Sequence, residues 1–280
     1  FMAAYRKNIL RKPCPGMWWG LEKHFEGLGV KVRKNESFYV GDAAGRPFGR
    51  RPWHGGKDEK DFSDSDRNFA WNVGVAFHTP EEFFLGAETE HFEYKHFDAR
   101  AWRDRAAGKE PAQVKKGDGV EIVLMCGFPG SGKSTFAKRV FETQGFVWIN
   151  RDTLQSMDKC MEVARMSLAR RESVVIDNTN PSKQARAPFI EIGKKFKARI
   201  RCFRMGVGRD LAEHNNAVRG IITKGETLIP QMAFSKFEME FEKPTREEGF
   251  DEVVEAALRP EDLRFETDLH EQAFYWRFSK

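Results

Sequence analysis

Cysteine is scarce in this chain: four in 280 residues, at positions 14, 126, 160 and 202, with no CxxC pair. Such spacing offers neither a zinc site nor a disulfide framework, so a reduced, intracellular protein is expected. Cys126 and Cys202 sit in the apolar runs IVLMCG and RIRCFRM, where a thiol is simply a small hydrophobe. No run of about 18 apolar residues occurs, so no membrane-spanning helix and no membrane partner are expected. The opening FMAAYRKNIL is too short in its apolar part for a secretory signal, and it lacks a starting Met, so the chain is expected to be trimmed or incomplete there. Internal repeats and low-complexity tracts are absent. Charge of one sign is not in excess either. Forty-seven basic against forty-two acidic residues give +5, which a mixed solvated surface explains without a partner.

What is present suffices for one large or two ordinary domains, each with its own core. Charge becomes informative where it clusters, in GRPFGRRPWHGGK at residues 45–57. There Arg46, Arg50, Arg51 and Lys57 interleave with Phe48 and Trp53. Basic groups neutralise phosphates and aromatic rings stack on unpaired bases, which suits a single-stranded nucleic-acid end. A glycine-rich solvated loop fits the same stretch. Residues 97–119 are charged, contain Gly and Pro and lack apolar periodicity, marking a domain boundary.

Beyond that boundary, apolar runs alternate with helical patterns. EIVLMCGF, GFVWIN, SVVIDN and ARIRCFRM are expected as strands. KSTFAKRVFETQ, DTLQSMDKCMEVARMSLARR and PSKQARAPFIEIGKKF are expected as helices, the last opened by Pro181. Such alternation predicts βαβ units and a parallel sheet covered on both faces. Two further helical segments, DLAEHNNAVRGI and PQMAFSKFEMEF, flank TKGETLI in an arrangement suited to a lid. Strand and helix patterns also alternate in the first part, through FMAA, GMWWGLEKHFEGL, SFYVGDAAG, RNFAWNVG and TPEEFFL.

GFPGSGKST at residues 127–135 satisfies G-x-x-x-x-G-K-[ST] between a strand and a helix, the context that motif requires. Gly127, Pro129, Gly130, Ser131 and Gly132 would turn backbone N–H groups inward as an anion nest, to which the helix N-terminus adds positive charge. Lys133 would bridge the β- and γ-phosphates of ATP, and Ser134, followed by Thr135, would place a hydroxyl on Mg²⁺.

The fate of the γ-phosphate depends on neighbouring strand ends, since ligands of open α/β sheets sit beyond the strands' carboxyl ends. Asp177 follows three apolar positions, where it would hold Mg²⁺ through water; a helix-capping role is the alternative. Asp152 stands just past another strand, where a carboxylate would take the proton of an alcohol acceptor. It too would serve as an N-cap. Arg219, in the first lid helix, would act as an arginine finger or be an ordinary exposed helix residue.

With these motifs in hand, the chain resembles the polynucleotide kinase 3′-phosphatase family of DNA-end-healing enzymes along essentially its whole length. GFPGSGKSTF, NRDTLQS, VVIDNTNPS, HNNAVRG and IPQMAFSKFEMEFEKPTREEGF occur in that family's order and spacing. The resemblance implies that Asp152 is the general base on a 5′-hydroxyl and that Lys133 and Arg219 contact the donor phosphates. Many relatives carry a second arginine where this chain has Ala217. It further implies an α/β architecture in which a P-loop kinase domain, with parallel sheet and helical lid, spans 119–280. A linker at 99–118 and the C-terminal part of a haloacid-dehalogenase-type phosphatase at 1–98 would precede it.

In that first part Lys12 would neutralise the substrate phosphate, and Asp42 and Asp66 would hold Mg²⁺, with Arg67 matching the same pattern. Neighbouring carboxylates make a hard, oxygen-rich site of this kind, although a solvated acidic loop reads the same residues differently. The DxDx[TV] element that carries such a phosphatase's nucleophile does not occur. Phosphatase activity is therefore expected only with a missing half supplied from elsewhere. DNA ends bearing 5′-hydroxyls or 3′-phosphates, DNA-repair proteins, and nuclear or additionally mitochondrial residence are what the family implies. Two other functions share the motifs: an inactive kinase-like nucleic-acid-binding module and a small-molecule P-loop kinase.

Overall fold

The computed structural model describes residues 8–51, 57–106, 114–256, 259–263 and 265–279, with main chain alone at 50, 51, 57–59 and 261. Two compact units are present. One comprises Phe1–Arg105, Ala217–Leu228 and Arg264–Lys280; the other comprises Ala106–Asn216 and Ile229–Leu263.

In the first unit, α1 (Gly16–Gly27) precedes β1 (Phe38–Val40), the hairpin strands β2 (Gly49–Arg51) and β3 (Lys57–Glu59), α2 (Ser65–Val73), β4 (Ala76–His78) and α3 (Pro80–Leu85). β1 and β4 pair in parallel, Tyr39 opposite Phe77, while β2 and β3 pair antiparallel. Trp18, Phe69 and Val73 form the buried nucleus against which Trp19, Tyr39 and Val75 pack. Thr79 closes α3 at its start with a capping box, its hydroxyl accepting from Glu82 N while the Glu82 carboxylate accepts from Thr79 N. Helix α4 (Ala99–Ala106) occupies the beginning of the segment expected to link the domains.

The second unit is built on a five-stranded sheet. Its elements are β5 (Glu121–Cys126), α5 (Lys133–Val140), β6 (Val147–Ile149), α6 (Arg151–Leu154), α7 (Met157–Ala169), β7 (Val174–Ile176), α8 (Lys183–Lys195), β8 (Arg199–Met205), α9 (Arg209–Ile222), α10 (Gln231–Glu240) and β9 (Glu252–Ala256). A last helix, α11 (Asp268–Phe274), returns to the first unit. The sheet order is β6-β7-β5-β8-β9 and every pairing is parallel. All six β5 residues are buried, which is why that strand reads as a continuous apolar run rather than an alternation. Its one charge, Glu121, is carried inside by Arg201 of β8 at 2.8 Å. On one face of the sheet Ile122, Leu124, Ile176, Phe189 and Ile200 form the core, and Gly193 lets α8 approach so closely that a Cβ there would stand 2.7 Å from Ile122.

Several expectations are revised. The helix expected across residues 152–171 is two helices, α6 and α7, because Gln155 takes a left-handed φ of 64° and Ser156 is extended. Helix α8 is capped by Ser182, whose hydroxyl accepts from Ala185 N, so Pro181 precedes the helix rather than opening it. Strands β4 and β9 were not expected at all. Arg46, read either as facing nucleic acid or as part of a solvated loop, is instead buried at 2% exposure and held by Asp61 and Glu81, each at 2.8 Å. The expected FMAA strand and Trp53 lie outside the described residues.

A buried ion pair secures the loop after β7. Arg186 donates to both carboxylate oxygens of Glu248 at 2.8 Å and to the carbonyls of Asn180 and Pro181. Removing one member of such a pair strands a charge in the interior. Arg186→Met is expected to destabilise the second unit by about 3–5 kcal/mol, with Arg186→Met/Glu248→Leu recovering most of the loss. Urea unfolding of the three proteins checks this; equal stability of the single variant and the parent would refute it.

Candidate functional site

The carboxyl edge of the sheet is where the expected site residues gather. β5 runs directly into the glycine loop, whose turns require left-handed backbone: φ is 75° at Gly130 and 84° at Gly132. At Gly130 a side chain is also excluded by space, since a Cβ would lie 2.7 Å from the Ala212 carbonyl oxygen of α9. The loop is braced on that side by Asn215, whose amide donates to Gly130 O at 2.9 Å, and by Phe128 against Phe237 of α10 at 4.5 Å. Ser131 N closes the turn on Phe128 O at 3.2 Å. Pro129 lies within the same turn.

Lys133 is the first residue of α5 and is buried, its ammonium donating to the Gly127 and Phe128 carbonyls at 3.0 and 2.6 Å. Ser134 and Thr135 follow with exposed side chains. The Ser131 hydroxyl is buried without a hydrogen-bond partner. An orphaned hydroxyl inside a nest of glycine amides, beside a lysine at a helix N-terminus, fits a polyphosphate chain. Cys126, just before the loop, is no competitor for chemistry: burial pushes its thiol up to about 11.

From the loop, hydrogen bonds run across the strand ends. Gly127 N donates to Thr179 O at 3.2 Å, and Asn180 Nδ2 donates to Met125 O at 2.7 Å, joining β5 to the segment after β7. Asp177, directly after β7, is 2% exposed. Its Oδ2 accepts from Trp148 Nε1 at 3.1 Å and from Asn150 Nδ2 at 3.2 Å. Since Ser182 caps α8, helix capping does not account for Asp177. The Asn150 side chain also accepts from Asp152 N and Thr153 N at 2.9 and 3.2 Å, making it the N-cap of α6. Asp152 is therefore not a cap. Its carboxylate is exposed, and no side chain among the described residues bonds it. Asn150, Trp148 and Asn215 were missed as site residues. The run INRDT already places an asparagine at the cap position ahead of Asp152, which is the signal that would have found the first.

Arg219 is exposed on α9, one helical turn beyond Asn215, and lies in the segment grouped with the first unit. No bond joins it to another expected site residue among the described residues. Ser134, Asp177 and the loop thus share one sheet edge, with Asn150 connecting Asp177 to Asp152.

The first unit holds a second cluster. Lys12 forms an ion pair with Asp66 of α2 and donates to the Tyr39 hydroxyl of β1 at 3.2 Å. Asp66 is buried, not part of a solvated loop, and its Oδ2 accepts from Ala43 N at 3.1 Å. A Cβ at Gly41 would lie 2.5 Å from Asp66 Oδ2, so only glycine leaves room there. Asp42, next in the chain, is exposed. Arg67 stacks between Phe77 and Phe92 and donates to Ala44 O at 2.8 Å. No group of three or more potential metal-ligating His, Cys, Asp or Glu residues converges among the described residues. Two carboxylates around the turn at 41–43, one of them buried, fit a hard cation as part of a ligand set.

Burial pulls the Lys12 pKa down, but the hydrogen bond and charge of Asp66, joined by Tyr39, outweigh it and hold the ammonium above the ordinary lysine value of 10.5. Burial, then the charge of Asp66, raises the Tyr39 phenol.

The second unit is a parallel five-stranded P-loop kinase fold of the α/β class, and comparison with known proteins extends this to the chain before it. Residues 1–84 match the family model described as polynucleotide kinase 3 phosphatase, and residues 122–158 and 155–244 match one described as an AAA domain. The chain is 37% identical over 257 residues, 92% of its length, to the bifunctional polynucleotide phosphatase/kinase of Schizosaccharomyces pombe. It is 32% identical over 89% of its length to a putative bifunctional polynucleotide phosphatase/kinase of Acanthamoeba polyphaga mimivirus. It spans 59% and 63% of those two relatives, about three fifths of their length. Among solved structures, Chaetomium thermophilum Kti12 in complex with ADP-AlF3 aligns at 16% identity with a TM-score of 0.41, over 55% of this chain and 95% of that one. The chain is a homologue of the bifunctional polynucleotide phosphatase/kinases, with the phosphatase-type region first and the kinase-type domain after it.

In a metal-chelating buffer the Lys12 amine is expected to titrate above 10.5, and Asp66→Asn should lower its midpoint. Because the folded-state value is raised, the contribution of this pair to stability is complete below the ordinary lysine value and vanishes as pH rises through the raised one. NMR titration of the lysine side chain reads both; an unchanged midpoint in the variant would contradict the assignment.

Proposed function

We propose that this protein is an ATP-dependent polynucleotide 5′-hydroxyl kinase acting on DNA ends. It would work within a bifunctional enzyme that also removes 3′-phosphates, for the repair of strand breaks in the nucleus and, secondarily, in mitochondria. One observation carries the kinase reading: the sheet edge that holds a complete phosphate loop also presents Asp152, whose carboxylate its own helix leaves unbonded. The similarity along 92% of the chain to a bifunctional polynucleotide phosphatase/kinase supplies the acceptor class.

In this mechanism the glycine loop and the Ser131 hydroxyl hold the triphosphate. Lys133 turns from the loop carbonyls to the β- and γ-phosphates, and Arg219 supplies a second cation. Asp152 accepts the proton of the 5′-hydroxyl as its oxygen bonds to the γ-phosphorus and the bridging oxygen leaves with ADP. Mg²⁺ would add charge neutralisation on the phosphates, held from Ser134 and Asp177. In the first unit, Lys12 would be the cation for a 3′-phosphate, and Asp42 and Asp66 would hold Mg²⁺.

Incubation with γ-labelled ATP, Mg²⁺ and a 5′-hydroxyl oligonucleotide is expected to label the 5′ end. ATP binding without label would replace the kinase by a nucleic-acid-binding module, and label on a small metabolite instead would replace it by a metabolite kinase. Asp152→Ala should reduce transfer by at least about a hundredfold while leaving nucleotide affinity within a few fold. Lys133→Ala should weaken both binding and transfer. Loss of ATP affinity with transfer intact in Asp152→Ala would sink the assignment of the base.

A further inference from the structure

One side chain bonds both aspartates of the candidate kinase site, the backbone N–H of Asp152 and the carboxylate of Asp177. Asn150 lies between the end of β6 and the start of α6, and its amide has two donors on one side and two acceptors on the other. Its Oδ1 receives the Asp152 and Thr153 N–H groups at 2.9 and 3.2 Å. Its Nδ2 donates to the Asp177 carbonyl at 2.7 Å and to Asp177 Oδ2 at 3.2 Å. The amide orientation is thereby settled, because turning it over would set its oxygen against two oxygens and its nitrogen against two donors.

We propose that Asn150 is a positioning residue that holds Asp152 and Asp177 in register as one unit, through an amide that caps the helix of the first and donates to the second. This rests on the kinase reading above. Two physical consequences give the role content. Asn150 and Trp148 together occupy Oδ2 of Asp177, which leaves Oδ1 as the oxygen presented to a ligand. Asn150 also satisfies the first N–H groups of α6, so the Asp152 side chain is not drawn back onto its own backbone as a short helix-starting aspartate otherwise is.

The arrangement demands asparagine specifically. Aspartate would cap α6 equally well but would face Asp177 with a second carboxylate at about the same distance, with no proton to share. Alanine would lose both functions. Capping and bridging are therefore separable by substitution.

Asn150→Asp is expected to keep the cap: amide hydrogen exchange at Asp152 and Thr153 stays at the wild-type rate, and the apparent affinity for an ATP analogue changes by less than about threefold. Its kcat on a 5′-hydroxyl oligonucleotide should nevertheless fall by about tenfold to a hundredfold, with the KM for the oligonucleotide nearly unchanged. Asn150→Ala should lower kcat similarly and also accelerate exchange at the two amides. A role in capping alone predicts near-wild-type turnover in Asn150→Asp, and turnover within about threefold of wild type in that variant overturns the proposal. So does unaltered exchange in Asn150→Ala. Wild-type protein that labels no 5′ end would overturn the kinase reading instead. The exchange arm then still decides whether Asn150 joins the two carboxylate-bearing segments.

Discussion

Everything at the candidate kinase site depends on one strand that cannot move. β5 is buried along all six residues, with β7 on one side and β8 on the other, and it carries a single charge neutralised inside the sheet. Its carboxyl end is therefore fixed in space, and the phosphate loop begins there. The chain leaves β5 to build β6 and β7 on one flank and then crosses to β8 on the other. The loop thus opens at the point where the connections change direction, the place where open α/β sheets receive ligands.

What the strand positions, hydrogen bonds extend. Thr179 accepts from Gly127, Asn180 donates to Met125, and Arg186 with Glu248 holds the carbonyls of Asn180 and Pro181. The segment carrying Asp177 is thereby tied to the loop and β5 through Thr179, Asn180 and Pro181 rather than through the Asp177 carboxylate. This division keeps the Asp177 carboxylate out of the tie to the loop, with its Oδ2 held by Trp148 and Asn150. The cluster around Lys12 follows another scheme, in which the side chains themselves are engaged: Lys12 and Asp66 neutralise each other, the Tyr39 hydroxyl accepts from Lys12, and the Gly41 backbone packs against the aspartate.

Much of this was legible beforehand, for identifiable reasons. Long, uniformly apolar strands such as β5 and β8 announce themselves, and the glycine loop is constrained by backbone geometry that few sequences satisfy. The missed strands are short and lie at margins. β9 is an edge strand whose Glu252 and Glu255 interrupt its apolar residues, and β4 spans three residues followed at once by a helix. The break between α6 and α7 escaped periodicity because it rests on Gln155 adopting a left-handed conformation, which no local pattern requires. Arg46 was misjudged because composition cannot tell a cation facing solvent from one enclosed by Asp61 and Glu81. Asn150 was passed over because a residue acting through others carries no chemistry of its own.

Residues 277–279 fold back onto residues 68–98 of the same unit. Arg277 N donates to Asn72 and its guanidinium reaches Asp98 and covers Trp71, Tyr94 bonds the main chain of Phe278 in both directions, and Asn68 donates to Ser279. The first unit is consequently assembled from three separate stretches of chain, between which the two stretches of the second unit run. Every residue of the second unit precedes residues 264–280 in the sequence, so that unit's stretches are made before the last stretch of the first. A single cut at any one crossing would therefore leave the two units joined by the remaining connections, so neither unit corresponds to one uninterrupted stretch of sequence.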